Sequence, residues 1–257
     1  MIRIFLVLAA LAMPAFAQQP AENAPDPRMS DERVIEDFIT IALGREYPED
    51  QARAGRLIRW TRPIRVAGMG PRPDVWGRTL EWHMRRLARI TRHPIELRPS
   101  GEVDLLAIFV PRLTVEAVAA HAEVYRRVFS DEIRYEAQMA RIASGALNAV
   151  CFTTVRVARD YSIVQAVAFI PLDRGATVVR QCIIEEMSQA MGLPNDNDDV
   201  DPSIFNDHSP YIELTDKDIL LLRMLYHPAM RLGMTPPQVR RAGPRVLADL
   251  RRRPYRD

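Results

Sequence analysis

Five oxygen-bearing side chains are spaced so that one helix and the turn after it can bring them together. The segment CIIEEMSQAMGLPND has helical spacing, and residues four apart on a helix share one face. Gly192 allows the chain to turn back, because glycine adopts backbone conformations that other residues avoid. In such a cluster a carboxylate can act as a general base, and several oxygens can hold a hard cation. The five residues are Glu185, Glu186, Gln189, Asn195 and Asp196.

The spacing of these residues resembles the zinc-binding helix of the metzincin metalloproteases. The metzincin pattern H-E-x-x-H-x-x-G-x-x-H/D is matched by E-E-x-x-Q-x-x-G-x-x-N-D. By this resemblance Glu186 stands at the position of the catalytic general base and Gly192 at the turn glycine. Glu185, Gln189 and Asn195 replace the zinc ligands. Zinc in protease sites prefers imidazole nitrogen, so the resemblance implies a degenerate site without catalytic zinc.

The flanking segments also resemble a small metzincin core. Residues 201–207 take the place of the methionine turn, although they contain no methionine. The predicted order of elements over residues 64–110 is β, α, β, β. The resemblance spans residues 64–226 and implies a zincin-like α+β fold, a single domain in which a mixed twisted sheet packs on helices.

A longer resemblance includes FITIALGREY near Phe38, RWTRPIRV near Trp60 and the segment IEEMSQAMGLPND. On these residues the chain resembles a family of exported bacterial proteins catalogued as domain of unknown function 2927. The family has no assigned activity. The resemblance therefore implies a fold and an exported location, and it names no substrate.

Apolar periodicity predicts the elements that position these residues. The apolar runs between turn signals predict strands, and the amphipathic stretches predict helices, the last of which begins with the capping-box pattern Thr215-x-x-Asp218. We expect the helical stretch from residue 114 to residue 143 to break near residues 130–131. Strands are predicted over residues 64–67, 95–97, 105–110, 150–157 and 163–170, and helices over residues 30–44, 74–91, 114–143 and 178–191 and from residue 215.

The first residues predict export. Arg3, the apolar residues 4–13 and the run Ala15-Phe16-Ala17 match a secretory signal peptide, residues 1–17, cleaved after Ala17. The apolar run is too short to span a bilayer, so we expect a periplasmic or secreted product without a transmembrane segment. A buried N-terminal helix is the alternative. Polar, proline-rich residues 18–29 predict a flexible leader ahead of a globular domain over residues 30–230.

The chain has two cysteines, Cys151 and Cys182. An exported protein meets oxidising conditions, in which paired thiols tend to close, so we predict a disulfide between them. This bridge would join the sheet to the beginning of the helix that carries Glu185. Two buried free thiols are the alternative.

Charge is distributed unevenly along the sequence. The net charge of +2 is too small to indicate nucleic-acid binding. Residues 195–218 hold eight carboxylates and one lysine, seven net negative charges, whereas residues 231–257 hold eight arginines and two aspartates, six net positive charges. These blocks can neutralise one another, or the basic segment can contact anionic envelope components. We expect residues 231–257 to form a mobile, arginine-rich tail.

The acidic loop, residues 195–201 with the sequence NDNDDVD, contains four aspartates. These could coordinate calcium, although the loop lacks the glycine and terminal glutamate of an EF-hand. A solvated acidic loop is the alternative. His208 follows closely and could pair with Glu186 for acid–base work.

Two functions from different classes are consistent with these patterns. The first is an exported, non-catalytic pseudoenzyme whose zincin-like cleft binds a peptide or envelope partner. The second is a peptidase-like hydrolase with a non-standard or hard-metal site centred on Glu186. The helix could also be purely structural, with Glu185 and Gln189 bonded to nearby backbone. The replaced histidines favour the non-catalytic function.

Overall fold

The structure is a computed structural model that describes residues 26–45, 54–71, 74–98, 101–127, 132–144 and 150–255. The predicted signal peptide, most of the predicted leader and the break predicted near residues 130–131 lie outside the described residues.

A five-stranded mixed sheet forms the centre of the fold, with the strand order β2-β1-β3-β5-β4. The first four strands in that order are parallel, and β4 runs antiparallel to β5 at one edge. The central strands β3 and β5 are apolar along most of their length because helices cover both faces of the sheet. The strands are β1 Ile64–Met69, β2 Ile95–Leu97, β3 Leu105–Val110, β4 Phe152–Val157 and β5 Ile163–Pro171.

Eight α-helices lie in the described residues and cover the two faces of the sheet. They are α1 Asp31–Leu43, α2 Asp74–Thr91, α3 Val115–Ala119, α4 Ala122–Arg126, α5 Glu132–Ser144, α6 Ala176–Gln189, α7 Asp216–Leu225 and α8 Pro236–Arg252. The larger core contains residues of α1, α2, α6, α7 and α8, and the smaller core lies between α3, α4, α5 and the opposite face of the sheet. None of these described helices is both long enough and apolar enough to cross a membrane.

Most predicted elements are present, and the α+β class and the single domain with a mixed sheet are confirmed. The bounds predicted for α2 agree with the structure, and the capping box predicted at Thr215 is formed, with both of its hydrogen bonds to Asp218. The predicted helical stretch from residue 114 differs, because α3 ends at Ala119 and a separate helix begins at Ala122.

The expected mobile tail is wrong for residues 236–252, because these residues form α8 and pack against α1. Val239, Val246 and Leu247 are fully buried, and Gly243 lets the helix approach so closely that an added Cβ would lie 2.7 Å from Ile35. The apolar positions recur with helical spacing among the arginines. A count of charges over the segment hides this apolar face.

Candidate functional site

α6 follows β5 directly and lies deep in the larger core. Residues 182–189 of the helix are all buried, including the polar side chains of Glu185, Glu186 and Gln189. Buried polar groups need hydrogen-bond partners, so the neighbours of these three residues decide what the helix can do.

The edge strand β4 is attached to α6 by two contacts. Cys151, which precedes the strand, forms a disulfide with Cys182 in the helix, with a Cα–Cα distance of 5.9 Å. The predicted disulfide is thus confirmed. The hydroxyl group of Thr153 also donates a hydrogen bond to the Glu186 carbonyl oxygen, at 3.1 Å. The disulfide and this hydrogen bond therefore link α6, which carries the candidate site, to the edge strand β4.

The turn after α6 is shaped by a glycine and by two aromatic side chains. Gly192 has a φ of 118°, and a Cβ at this position would lie 2.4 Å from the Ile58 carbonyl oxygen. Trp60 Nε1 donates to the Ala190 carbonyl at 2.8 Å, and the Tyr226 hydroxyl donates to the Met191 carbonyl at 2.9 Å. These contacts satisfy the carbonyl groups that the helix end leaves open and send the chain back toward α6.

Three carboxylates from separate segments meet in what we call the acidic cluster. Each of the three residues contributes one carboxylate oxygen, and these three oxygens lie within 4.8 Å of one another. The residues are Glu185, Asp196 and Asp207. Glu185 is buried, Asp196 is half-buried and Asp207 is exposed as a residue. Partial desolvation of the Asp207 carboxyl group, and then the nearby charge of Asp198, raise the pKa of Asp207. The cluster therefore concentrates negative charge at one point of the surface.

Gln189 and Asn195, the two amides of the pattern, are engaged in hydrogen bonds to the protein. Gln189 Nε2 donates to Asp196 Oδ1 at 2.7 Å, which places the amide nitrogen against the acidic cluster. Asn195 Nδ2 donates to the Thr40 carbonyl oxygen at 3.0 Å, near the end of α1. Gln189 thus supports the return of the chain after Gly192, and Asn195 joins that return to α1.

Glu186 is 3% exposed and does not belong to the acidic cluster. Neighbouring positions on a helix point in different directions, so Glu185 can face the cluster while Glu186 does not. A general base has to come within hydrogen-bond distance of the proton it removes. The burial of Glu186 leaves little room for a substrate at that distance.

The turn at residues 201–207 is held in place by the first turn of α7. Asp218 is fully buried and accepts hydrogen bonds from Ser203 Oγ at 2.6 Å and from the Ile204 amide at 3.0 Å. Burial raises the pKa of Asp218, and its hydrogen bonds act in the opposite direction. Lys217 donates to the Asp201 carbonyl oxygen at 2.6 Å. The position of Asp207 in the acidic cluster therefore depends on buried polar contacts beneath it.

The carboxylates of the acidic loop are directed to different partners. Asp198 accepts a hydrogen bond from His208 Nδ1 at 2.8 Å, and this contact is the first cause of the raised pKa of His208. His208 thus pairs with Asp198 and not with Glu186, the pairing that the sequence had left open. Asp201 forms an ion pair with Arg28 at 2.5 Å. Asp196 is the one residue of this loop in the acidic cluster.

Sequence reasoning missed Asp207 as a member of the acidic cluster. Its place in the segment 201–207, which the metzincin resemblance sets at the methionine turn, was the available signal. A turn that lies beneath a metal site can also direct one of its own side chains toward that site.

Catalytic zinc, the metal of the metzincin family, does not fit the residues present. The acidic cluster supplies oxygen atoms alone, and no histidine in the described part of the chain belongs to it. Zinc sites of proteases are built mainly from imidazole nitrogen, whereas sets of carboxylates suit calcium or magnesium.

The fold and the site define an α+β protein in which a buried helix and the turn after it supply carboxylates to a surface cluster. A family model described as Protein of unknown function (DUF2927) matches residues 31–245, and the chain belongs to this family. The match begins at the start of α1 and includes much of α8. No curated protein matches the chain.

Proposed function

We propose that the protein is an exported, non-catalytic protein with a zincin-like fold that binds an extended peptide segment of a partner along β4. The position of β4 carries the proposal. Among the described strands, β4 and β2 each pair on one side only, and β4, with six residues against three, is the longer edge strand. An edge strand presents unpaired backbone donors and acceptors, which an extended peptide can satisfy by adding a strand.

The zincin-like fold is supported by the arrangement around α6. The helix follows the last strand of a mixed sheet, and the chain turns at Gly192 so that Asp196 returns to Gln189 on the helix. This is the path that the metzincin spacing implies. Export is supported by the N-terminal pattern, with its cleavage site after Ala17, and by a disulfide suited to an oxidising compartment.

The absence of catalysis is proposed from the chemistry of the positions that would do the work. Gln189 and Asn195 are amides bonded to other parts of the protein, and Glu186 is buried. These contacts stabilise the turn. In this proposal the degenerate site supplies no activated water.

A second candidate function is hydrolysis at a hard-metal site, and the acidic cluster favours it. Calcium binds oxygen ligands at roughly 2.3 to 2.6 Å, so oxygens on opposite sides of one ion lie about 5 Å apart. The 4.8 Å limit within which the three carboxylate oxygens lie is compatible with that geometry.

Two measurements separate these functions. Elemental analysis of the purified protein, followed by a broad peptide-hydrolysis screen, tests the second. Stoichiometric metal with hydrolysis abolished by Glu186→Gln would overturn the non-catalytic proposal. Asp207→Asn should then remove the metal, whereas Asp199→Asn, an exposed change of the same charge in the acidic loop, should retain it.

Peptide binding is tested by selection from a displayed peptide library, followed by hydrogen exchange with and without the selected peptide. We expect the amides of β4 to gain protection. The amides of β2, the strand at the opposite edge of the sheet, are the internal control. Protection of β2 alone, or a library that yields no binder, would contradict binding along β4.

A further inference from the structure

A cavity lies where α2 and α7 end, beside the C-terminal part of α8. Its volume is about 630 Å³. The guanidinium-bearing residues that line it are Arg92, Arg223, Arg245, Arg252 and Arg253. We call it the arginine cavity.

The charges around the arginine cavity are far from balanced. Asp249 is the one carboxylate residue among those that line it, against five arginines. That carboxylate is already shared, because it lies 3.1 Å from Arg252, 3.9 Å from Arg253 and 3.3 Å from His227. In the described part of the chain, no carboxylate lies within ion-pair distance of Arg92, Arg223 or Arg245. Net positive charge therefore remains in the cavity.

Arg223 is half-buried among these like charges. Burial, and then the neighbouring charge of Arg92, lower the pKa of Arg223. Its guanidinium group donates one hydrogen bond to the Arg253 carbonyl oxygen, which leaves further N–H donors on the same group. Like charges that line one cavity repel one another, and an anion bound between them would relieve this repulsion.

Helix ends account for part of this arrangement. Cations near the C-terminus of a helix interact favourably with the helix dipole, and Arg92, Arg223 and Arg252 each stand at or near such an end. Arg245 does not, because it lies two turns before the end of α8. Arg92 also has a φ of 56°, a left-handed conformation that usually takes glycine or asparagine after a helix. Helix capping alone therefore does not explain the set.

We propose that the arginine cavity binds a multiply charged phosphate group, such as a diphosphate, carried either by a soluble ligand or by a lipid headgroup. Guanidinium groups recognise phosphate oxygens through paired N–H donors, and the cavity is larger than a single phosphate requires. This inference is independent of peptide binding along β4, because the cavity is built from α2, α7 and α8.

The test is calorimetric titration of the purified protein with inorganic diphosphate at low salt. The variants Arg223→Gln and Arg245→Gln each remove one charge from the cavity, and we expect each to weaken binding about tenfold or more. Arg241→Gln removes the same charge from an exposed position of α8 that does not line the cavity. We expect this control to change binding about twofold or less, which reflects the general field alone.

The source of the phosphate is decided by a second arm, co-sedimentation with vesicles of phosphatidylcholine alone or of phosphatidylcholine with an anionic lipid whose headgroup is a diphosphate. Binding to the anionic vesicles that is lost in Arg245→Gln and retained in Arg241→Gln identifies a lipid headgroup. Diphosphate binding without vesicle binding identifies a soluble ligand. The proposal is overturned if neither probe binds, if all three variants weaken binding equally, or if the cavity variants lower thermal stability alone.

Discussion

Replacing Lys217 with methionine tests how strongly a buried ion pair holds the turn beneath the acidic cluster. Lys217 is fully buried, and its Nζ lies 2.6 Å from Asp37 Oδ2 and 2.6 Å from the Asp201 carbonyl oxygen. Asp37, on α1, is 2% exposed. Methionine fills a similar volume without the charge. The change leaves Asp37 with Arg33, 2.8 Å away and 44% exposed, and removes a donor from the Asp201 carbonyl.

The expected loss follows from these contacts. Removing one partner of a buried pair costs about 3 to 5 kcal/mol, because the other charge stays buried. Arg33 still compensates Asp37 in part, which favours the lower end of that range. A part-buried carbonyl that loses its donor adds about 1 kcal/mol. We therefore expect Lys217→Met to lower the free energy of unfolding by about 4 kcal/mol, a large share of the roughly 5 to 15 kcal/mol of an ordinary domain.

Urea unfolding followed by circular dichroism measures this loss, with Arg240→Gln as the matched control. Arg240 makes two hydrogen bonds of 2.7 Å to Glu36, but both side chains are about half exposed. An exposed pair contributes about 1 kcal/mol or less. A loss below about 1 kcal/mol for Lys217→Met, or one equal to that of the control, would refute the argument from burial.

Three further predictions concern stability. Replacing Cys151 and Cys182 with serine opens a loop whose ends are 31 residues apart and should lower the free energy of unfolding by about 3 to 4 kcal/mol in urea melts. His83 is fully buried beside Ser188, and burial lowers the pKa of His83 to about 3, so the unfolded chain binds a proton that the folded protein refuses. Stability from this group is complete above pH 6.5 and is lost as the pH falls toward 3. Between pH 6.5 and 4.5 the wild type should lose roughly 2 to 3 kcal/mol more than His83→Gln, measured by urea unfolding at both pH values. Gly192→Ala should lower stability by about 2 kcal/mol or more, because alanine resists the positive φ and meets backbone.

Each of these predictions has an outcome that contradicts it. Serine variants that unfold at the wild-type urea concentration would show that the bridge does not constrain the unfolded chain. Equal losses at acidic pH for the wild type and His83→Gln would assign the acid sensitivity to other groups. If Gly192→Ala left the free energy of unfolding unchanged, the turn would be able to relax away from Ile58.

Local signals in the sequence predicted elements whose geometry is decided by nearby residues. The bounds of α2 follow from an amphipathic repeat and Pro94, and the start of α7 follows from the capping pair Thr215 and Asp218. The disulfide was also predictable, because two cysteines in a chain expected to be exported have one way to pair. For α2 and α7 the deciding residues are close together in the sequence. For the disulfide, the composition leaves one possible pair of cysteines.

The features that the sequence did not predict depend on contacts between segments that are distant in the chain. α8 needs α1 as a packing partner, and its apolar positions are separated by arginines, so composition suggested a tail. Asp207 reaches Glu185 and Asp196 only because a buried lysine and a buried aspartate fix the turn before it. Asn195 matched a ligand position in spacing, yet the end of α1 offered its amide group a carbonyl partner. Residue spacing predicts which face of a helix a side chain lies on. It does not predict which distant segment that side chain contacts.

The packing of α8 on α1 makes the two ends of the described chain necessary to the acidic cluster. α8 covers α1 at Gly243 and Ile35, and the Thr40 carbonyl near the end of α1 holds Asn195, the residue before Asp196. A protease that removed α8 would uncover the apolar face of α1 and loosen its hold on that loop. Limited digestion should therefore release no trimmed fragment that keeps the cluster intact.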